Sequence, residues 1–137
     1  MSADKLISSG GPWEGKVGYS RAVVAGNYVH VSGSTATVEG VVQHPGDSYN
    51  QTLTAFSVIE KALAQVGLGL KDIVRNRIYV SSAEHGDGVM KAHGELFSEI
   101  RPALTVLSGL GFVDPAMLVE IESDAYSRSL GGEQTLA

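Results

Sequence analysis

Residues 47–81 read DSYNQTLTAFSVIEKALAQVGLGLKDIVRNRIYVS, and this stretch holds a helical pattern followed by a strand pattern. Asp47 is placed to cap a helix at its start, and Gly67 is placed to cap it at its end. Between these two residues the apolar side chains recur at steps of three and four, as on one face of an amphipathic helix. The β-branched, alternating run at 73–81 then predicts a strand.

The residues before this stretch are typical of short strands joined by turns. We expect a strand over Lys16–Val24 and a second over Tyr28–Ser32, and the turn at Gly26 and Asn27 would join them as a hairpin. Residues 38–42 surround a further glycine-containing turn. The first third of the chain is therefore predicted to be rich in β-structure.

The residues after the stretch predict one more helix and two more strands. The helix begins near Asp87 and ends before Pro102, and strands follow at 103–108 and 117–125. This order predicts an α+β domain over 1–126 in which two helices cover one face of a single mixed sheet. We expect residues 127–137 to form a flexible tail. The other face of the sheet is left without a cover.

The composition excludes several functional classes. The chain has 137 residues, which is the length of one domain, and it contains no cysteine. The absence of cysteine excludes disulfides, thiolate nucleophiles and the usual structural zinc sites. A formal net charge of -5 argues against a nucleic acid as partner. Because no apolar segment is long enough for a signal peptide or a membrane span, we expect a cytoplasmic protein without a membrane partner.

The last predicted strand carries three carboxylates on one face. Glu120, Glu122 and Asp124 alternate with apolar or small residues, and side chains in a strand alternate between faces. Arg75 and Arg77 are expected to share a face of the strand at 73–81 with Tyr79. The opposite face of that strand is predicted to carry Val74, Asn76, Ile78 and Val80.

The acidic face admits two interpretations. It could simply be solvated, as is common for one side of an antiparallel sheet. Alternatively, the carboxylates line a cleft opposite Arg75 and Arg77. A desolvated carboxylate beside a shielded cation is a usual source of a general acid or base.

The histidines and serines do not form a recognisable catalytic motif. None of the four histidines has the spacing of a metal site, so we expect no metal ion and no cofactor. His93 lies on the apolar face of the second helix and is expected to be a hydrogen-bonded core residue, whereas His30 could face either side. Ser32 lacks the surroundings of a nucleophile elbow, although Gly33 would let the backbone approach a small ligand.

Six segments occur in an order and spacing that resemble those of a known family, although no segment is specific alone. They are GYSRA (18–22), VHVSG (29–33), QTLTAFSVIEKALAQVG (51–67), KDIVRNRIYV (71–80), RPALTV (101–106) and VEIE (119–122). The ordered set resembles the RidA/YjgF family, also known as the endoribonuclease L-PSP or reactive intermediate deaminase family. The resemblance covers the chain from about Gly18 to Ala125.

The resemblance implies a chorismate-mutase-like fold and a homotrimer. In that assembly the open faces of three sheets meet in a central barrel, and ligand clefts lie between neighbouring subunits. Such a trimer would cover the sheet face that the two helices leave open. The family's best-known activity is the hydrolysis of 2-imino (enamine) acids to 2-keto acids and ammonia.

The resemblance also assigns roles to individual residues. Glu120 corresponds to the glutamate that positions or activates water, and Tyr19 corresponds to the tyrosine of the catalytic cleft. Ser32 corresponds to a serine that completes the substrate-binding side of the cleft. An imine carbon is already electrophilic, so orienting water and releasing ammonia would suffice for this chemistry.

Three positions depart from the family's deaminase pattern. Leu104 stands where the arginine of a Pro-Ala-Arg motif binds the substrate carboxylate, Val106 stands where cysteine is frequent, and Met90 replaces an asparagine that commonly lines the cleft. Leucine cannot replace a bidentate guanidinium, so we expect a less anionic or more apolar small-molecule ligand. Arg101 either reaches the cleft from another direction or acts as a cation at the helix end.

Three functions therefore compete. The first is hydrolysis or deamination of a small imine or enamine metabolite. It is favoured by Glu120, which keeps the carboxylate that the resemblance implies at this position. The second is a non-catalytic trimer that binds a metabolite, which the loss of the arginine at Leu104 favours. The third is ribonuclease activity, which the negative net charge disfavours, because RNA binding uses basic and aromatic surfaces.

Overall fold

The computed structural model describes residues 5–130, which form a six-stranded sheet, a separate two-stranded hairpin and two α-helices. The helices are α1 (Ser48–Ala64) and α2 (Gly86–Phe97). The strands are β1 (Lys5–Ile7), β2 (Ala22–Ala25), β3 (Tyr28–Ser34), β4 (Thr37–Val38), β5 (Val41–Val42), β6 (Ile73–Val80), β7 (Ala103–Ser108) and β8 (Val119–Tyr126).

The main sheet is mixed, as predicted. Its strand order is β1-β2-β3-β8-β6-β7, and all neighbours are antiparallel except β6 and β7. The parallel pair is connected through α2, since parallel neighbours need a crossover of this kind. Strands β1 and β7 lie at the two edges. In residues 5–130 no helix has the length and hydropathy that crossing a bilayer requires.

Helix α1 begins and ends at the predicted caps. The Asp47 carboxylate accepts a hydrogen bond of 3.0 Å from the backbone N–H of Asn50, which also lowers the pKa of Asp47. At the other end Gly67 has a φ of +77°, and the next N–H bonds back to Leu63 at 3.0 Å. This left-handed glycine stops the helix in the way the sequence indicates.

The hydrophobic core lies between the two helices and one face of the main sheet. Phe56 of α1 and Phe97 of α2 are buried there, with a ring-centroid distance of 4.9 Å. The core also holds a polar chain, in which the Ser123 hydroxyl donates to Asn76 Oδ1 at 2.6 Å. The Asn76 amide then donates to His93 Nε2 at 3.1 Å. His93 is therefore the hydrogen-bonded core histidine that was predicted, and burial lowers its pKa.

The N-terminal region differs from the prediction in three ways. The strand expected over Lys16–Val24 is wrong in its first half, because residues 14–18 form a single π-helical turn and β2 begins only at Ala22. Strand β1 was not predicted, since three residues with only Ile7 buried are too short to show an alternating pattern. The hairpin of β4 and β5 pairs with itself and is not part of the main sheet.

The predicted faces of β6 are correct from Arg75 onward but wrong for Val74. The register to β8 shifts between Ile73 and Arg75, and Val74 is 44% exposed while Ile73 is buried. A β-bulge inserts one extra residue, so the alternation slips by one position at this point. Asn76 and the following alternate residues are buried, as expected.

The start of the predicted tail contacts the domain. The Ser127 N–H donates to Asn27 O at 2.7 Å, and the Asn27 amide donates to Ser127 O. The Ser127 hydroxyl accepts hydrogen bonds from the N–H groups of Ser129 and Leu130, and Leu130 packs against the core. The remainder of the predicted tail, 131–137, lies outside the described residues.

Candidate functional site

The face of the main sheet away from the helices carries the predicted acidic groups. We call this surface the open face and define it by side chains that are half-buried or exposed: His30, Arg75, Arg77, Tyr79, Glu120, Glu122 and Asp124. On β8 they alternate with the buried residues Val119, Ile121, Ser123 and Ala125. The register places Tyr79 beside Glu120, Arg77 beside Glu122 and Arg75 beside Asp124.

Two of the three carboxylates are engaged by neighbouring side chains. Arg77 Nη1 lies 3.2 Å from Asp124 Oδ2 and 3.9 Å from Glu122 Oε1, and His30 Nδ1 lies 2.8 Å from Asp124 Oδ1. The Tyr79 hydroxyl donates to Glu122 at 2.7 Å, and this hydrogen bond raises the pKa of Tyr79 above its usual 10.0. Of the two arginines expected opposite the acidic face, Arg77 is thus in contact with carboxylates.

Glu120 is in a different state from its two neighbours. Among residues 5–130 no side chain or backbone group donates a hydrogen bond to its carboxylate, although the residue is half-buried. Desolvation raises its pKa above the usual 4.5, and the charge of Arg21 opposes this increase only in part. A carboxylate with a raised pKa and free lone pairs can accept a proton from water or substrate at moderate pH.

Two residues that sequence reasoning did not assign surround this carboxylate. A β-carbon added at Gly33 would lie 2.6 Å from Glu120 Oε2, so the glutamate rests directly on the glycine backbone. Arg21 Nη2 donates to Gly33 O at 2.7 Å. Both residues belong to segments on which the family resemblance rests, and the sequence also indicated Gly33 as a place where the backbone could approach a small ligand. Neither position carries a pattern that spacing alone would identify.

Ser32 lies on β3, the strand next to β8, and Tyr19 lies in the segment that leads into β2. Tyr19 follows the helical turn at 14–18 and its N–H donates to Glu14 O at 2.9 Å, so the turn fixes its backbone. Its ring is 41% exposed. The Ser32 hydroxyl donates to Ser20 O at 2.7 Å and so joins β3 to the Tyr19 segment.

Tyr19 lines a surface recess of about 430 Å³. Leu6 and Val23, which pair across β1 and β2, form its apolar wall. Its other lining residues are Glu14, Gly15, Gly18 and Ser20. The recess can hold an apolar part of a small molecule next to the tyrosine ring.

Leu104, Val106 and Met90 lie on the other side of the sheet from Glu120. In register, Leu104 pairs with Asn76 and Val106 pairs with Ile78, and both side chains pack against the core beneath the helices. Met90 is on α2 in the same layer and is 49% exposed. A single subunit therefore brings together Glu120, Ser32 and the segment of Tyr19, but it does not bring the three substituted positions to them.

Arg101 marks the end of the segment that follows α2. Its φ is +56°, and its N–H donates to Phe97 O at 2.8 Å, as in a left-handed helix cap. In the described part of the chain its exposed guanidinium forms no ion pair or hydrogen bond. The backbone of Arg101, and not its side chain, satisfies the helix end.

No cluster of three or more potential metal ligands occurs within residues 5–130. The histidines are dispersed: His93 is in the core, His30 is on the open face, and His85 lies at the start of α2.

Comparisons with known proteins agree with the resemblance. The family model described as endoribonuclease L-PSP matches residues 14–127. An uncharacterized protein of Streptomyces coelicolor is 40% identical over 124 residues, which cover 90% of this chain and 92% of that protein. The 3-aminoacrylate deaminase RutC of Acinetobacter baylyi is 34% identical over 109 residues, which cover 79% and 86% of the two chains.

A solved structure is similar along almost its whole length. The crystal structure of Rv2704 from Mycobacterium tuberculosis, a member of the YjgF/YER057c/UK114 family, superposes with a TM-score of 0.80. It is 40% identical, and the match covers 90% of this chain and 99% of that one. The predicted fold and the predicted RidA/YjgF resemblance are both confirmed, and the chain belongs to the endoribonuclease L-PSP (YjgF/YER057c/UK114) family.

Proposed function

We propose that this protein hydrolyses a small imine or enamine metabolite, with Glu120 as the residue that orients and activates water. One observation carries the proposal: of the three carboxylates on β8, Glu120 is the one that accepts no hydrogen bond from residues 5–130. Glu122 and Asp124 have the same strand geometry, but their carboxylates are hydrogen-bonded to Tyr79, Arg77 and His30. Glu120 is left free to bind a water molecule.

The reaction needs little more than this. Water adds to the electrophilic carbon of the C=N bond while Glu120 accepts one of its protons. The resulting carbinolamine breaks its C–N bond, the nitrogen leaves as ammonia after taking up a proton, and a carbonyl group remains. An enamine enters the same route once its carbon is protonated to give the imine. The relative named 3-aminoacrylate deaminase supports an enamine or imine as the substrate class.

The proposed cleft lies between subunits of a homotrimer. Within one chain Leu104, Val106 and Met90 are on the helix side of the sheet, whereas Glu120 is on the open face. A neighbouring subunit must supply that apolar side if these residues are to bind one ligand together with Glu120. Burial of the open face in an assembly would also explain its ion pairs, which a fully solvated face does not need.

The substrate is proposed to lack a carboxylate at the reacting end. Leu104 is packed against the core and offers no positive charge. The recess beside Tyr19 is walled by Leu6 and Val23, which favour an apolar group. Neither observation favours RNA, whose phosphates would also meet the carboxylates of the open face.

A panel of imines made in situ tests the proposal. Amino-acid oxidase converts alanine to 2-iminopropanoate, and an amine oxidase converts primary amines to imines without a carboxylate. Release of ammonia is then followed with and without the protein. We expect acceleration for carboxylate-free imines and little or none for 2-iminopropanoate. Equal or faster turnover of 2-iminopropanoate would contradict the substrate class.

The alternative function is a non-catalytic trimer that binds a metabolite, and the replacement of the arginine by Leu104 is the observation that favours it. The same panel separates the two functions. Binding of an imine or its carbonyl product by calorimetry, with no acceleration of any imine, would replace the hydrolase with a binder.

A further inference from the structure

We propose that Arg21 is the positioning residue of Glu120: its guanidinium fixes the backbone on which the carboxylate rests and supplies the positive charge that the carboxylate faces. This inference rests on the proposed role of Glu120 and adds a residue that neither the motifs nor the comparisons assign. Arg21 precedes β2, and its carbonyl accepts the N–H of Ser32 at 2.9 Å. The residue is therefore tied to the same strands that carry the site.

Arg21 and Glu120 both contact Gly33. Arg21 Nη2 donates to Gly33 O at 2.7 Å, which crosses from the start of β2 to β3 and holds the glycine in place. Glu120 packs on that same glycine so closely that a β-carbon would be 2.6 Å from Oε2. Gly33 thus transmits the position of the guanidinium to the carboxylate. Movement of Arg21 would release the surface against which Glu120 is held.

The charge of Arg21 acts on Glu120 from beyond ion-pair distance. No direct ion pair within 4.0 Å joins Arg21 to Glu120 among the described residues, so the carboxylate oxygens stay free for water. The groups that face Glu120 are Glu122 on the same strand, Tyr79 on β6 and Arg21 near β2. Desolvation and Glu122 both raise the pKa of Glu120, and Arg21 is the group that lowers it. Without Arg21 the carboxylate would be protonated at a higher pH and could not act as a base there.

Arg21 also carries a buried polar atom that the described part of the fold does not satisfy. Its Nε is buried and has no hydrogen-bond partner within residues 5–130. A buried donor without a partner costs stability, so its presence calls for an explanation. A role next to the Glu120 carboxylate is the explanation that the proposal offers.

The test is an NMR titration of the Glu120 side-chain carboxyl in protein labelled with ¹³C-glutamate, with Glu120→Gln used for assignment. We expect Arg21→Gln to raise the pKa of Glu120 by about one unit or more, the usual effect of losing a nearby opposite charge. Arg21→Lys keeps the charge but not the same hydrogen bond to Gly33, so we expect a smaller increase. Arg75→Gln is the matched control, because Arg75 is on the same sheet face but pairs in register with Asp124.

An unchanged titration of Glu120 in Arg21→Gln would overturn the inference, as would an equal shift in Arg75→Gln. If Arg21→Gln fails to fold, the titration of Arg21→Lys decides alone. An unchanged pKa of Glu120 in Arg21→Lys would then contradict the positioning role. Where a turned-over imine has been found, the acidic limb of kcat/KM against pH should move upward with the NMR pKa. If the protein accelerates the hydrolysis of no imine, the proposed function is rejected. The pKa of Glu120 can still be measured by NMR, because that measurement does not depend on turnover.

Discussion

At the scale of single residues, three carboxylates with the same sequence pattern have different chemical states. Alternation places Glu120, Glu122 and Asp124 on one face, and the sequence predicts this correctly. Which of them is free depends on the neighbours: Tyr79, Arg77 and His30 occupy Glu122 and Asp124 but leave Glu120 without a donor. Reactivity here is set by cross-strand partners that are far away in the sequence.

Gly33 provides a first prediction at this scale. Because a β-carbon would displace Oε2 of Glu120, Gly33→Ala should lower kcat/KM by about 10²-fold, the scale of a misplaced catalytic group. The atom in conflict is the end of a flexible side chain, so the thermal midpoint should change little. Gly111→Ala is the control, since nothing lies within 4 Å of its added β-carbon. Full activity of Gly33→Ala would show that catalysis does not require the Glu120 carboxylate to pack against Gly33.

The raised pKa of Glu120 predicts a pH-dependent stability. A carboxyl whose folded-state pKa lies above 4.5 binds its proton more tightly in the folded state than in the unfolded state. The free energy of unfolding therefore falls as pH rises from the unfolded-state pKa through the folded-state pKa. Glu120→Gln removes that loss and should melt at a higher temperature than the unmodified protein at pH 8. At pH 4 the two midpoints should nearly coincide. Calorimetry at both pH values checks this, and a lower midpoint for Glu120→Gln at pH 8 would contradict the desolvation of Glu120.

The candidate site could be predicted only in part from single residues. Glu120, Tyr19 and Ser32 were assigned by resemblance, and those assignments remain predictions. Arg21 was not found, and Gly33 was noted only as a place where the backbone could approach a small ligand, because their relation to Glu120 comes from contacts between strands that no local pattern encodes.

At the scale of elements, the helices were predictable because each carries its own signals. Asp47 and Gly67 cap α1, and a 17-residue amphipathic pattern lies between them. By contrast β1 is three residues long, and the bulge at Val74 arises only when β6 pairs with β8. Short or distorted strands depend on their partners, and a sequence pattern does not show those partners.

The contact between α1 and α2 yields a prediction about glycine. A β-carbon at Gly88 of α2 would lie 2.9 Å from Tyr49 N of α1 and would collide with Ser48 Oγ. Gly88→Ala should therefore lower the free energy of unfolding by about 1–3 kcal/mol, as overpacking does. Gly94→Ala, in open space on the same helix, should raise it by up to about 1 kcal/mol. Urea denaturation of both variants measures the contrast, and equal effects would show that the helices can separate without cost.

At the scale of the whole molecule, the open face is the feature that one chain does not explain. It carries half-buried ion pairs, and it is bounded by the edge strands β1 and β7. The sequence predicted that this face would be uncovered, and the family resemblance supplied the trimer as its cover. In the proposed trimer the covering surface belongs to other subunits, and patterns within one chain do not identify such a surface.

The trimer itself is a prediction about mass. The chain has a mass of 14.4 kDa, and sedimentation at micromolar concentration should give about three times that value. A stable monomer under these conditions would contradict both the covered open face and the cleft between subunits.

The most direct test of the account compares Glu120→Gln with Glu122→Gln in turnover of the best imine from the panel. Both variants keep the shape of the side chain and lie on the same face of β8. Sedimentation of each variant checks that it keeps the assembly of the unmodified protein. We predict that kcat/KM falls about 10²-fold or more for Glu120→Gln, the scale of losing a general base, and only a few-fold for Glu122→Gln. Unchanged turnover in Glu120→Gln, or an equal loss in both variants, would contradict the claim that the free carboxylate of Glu120 activates water.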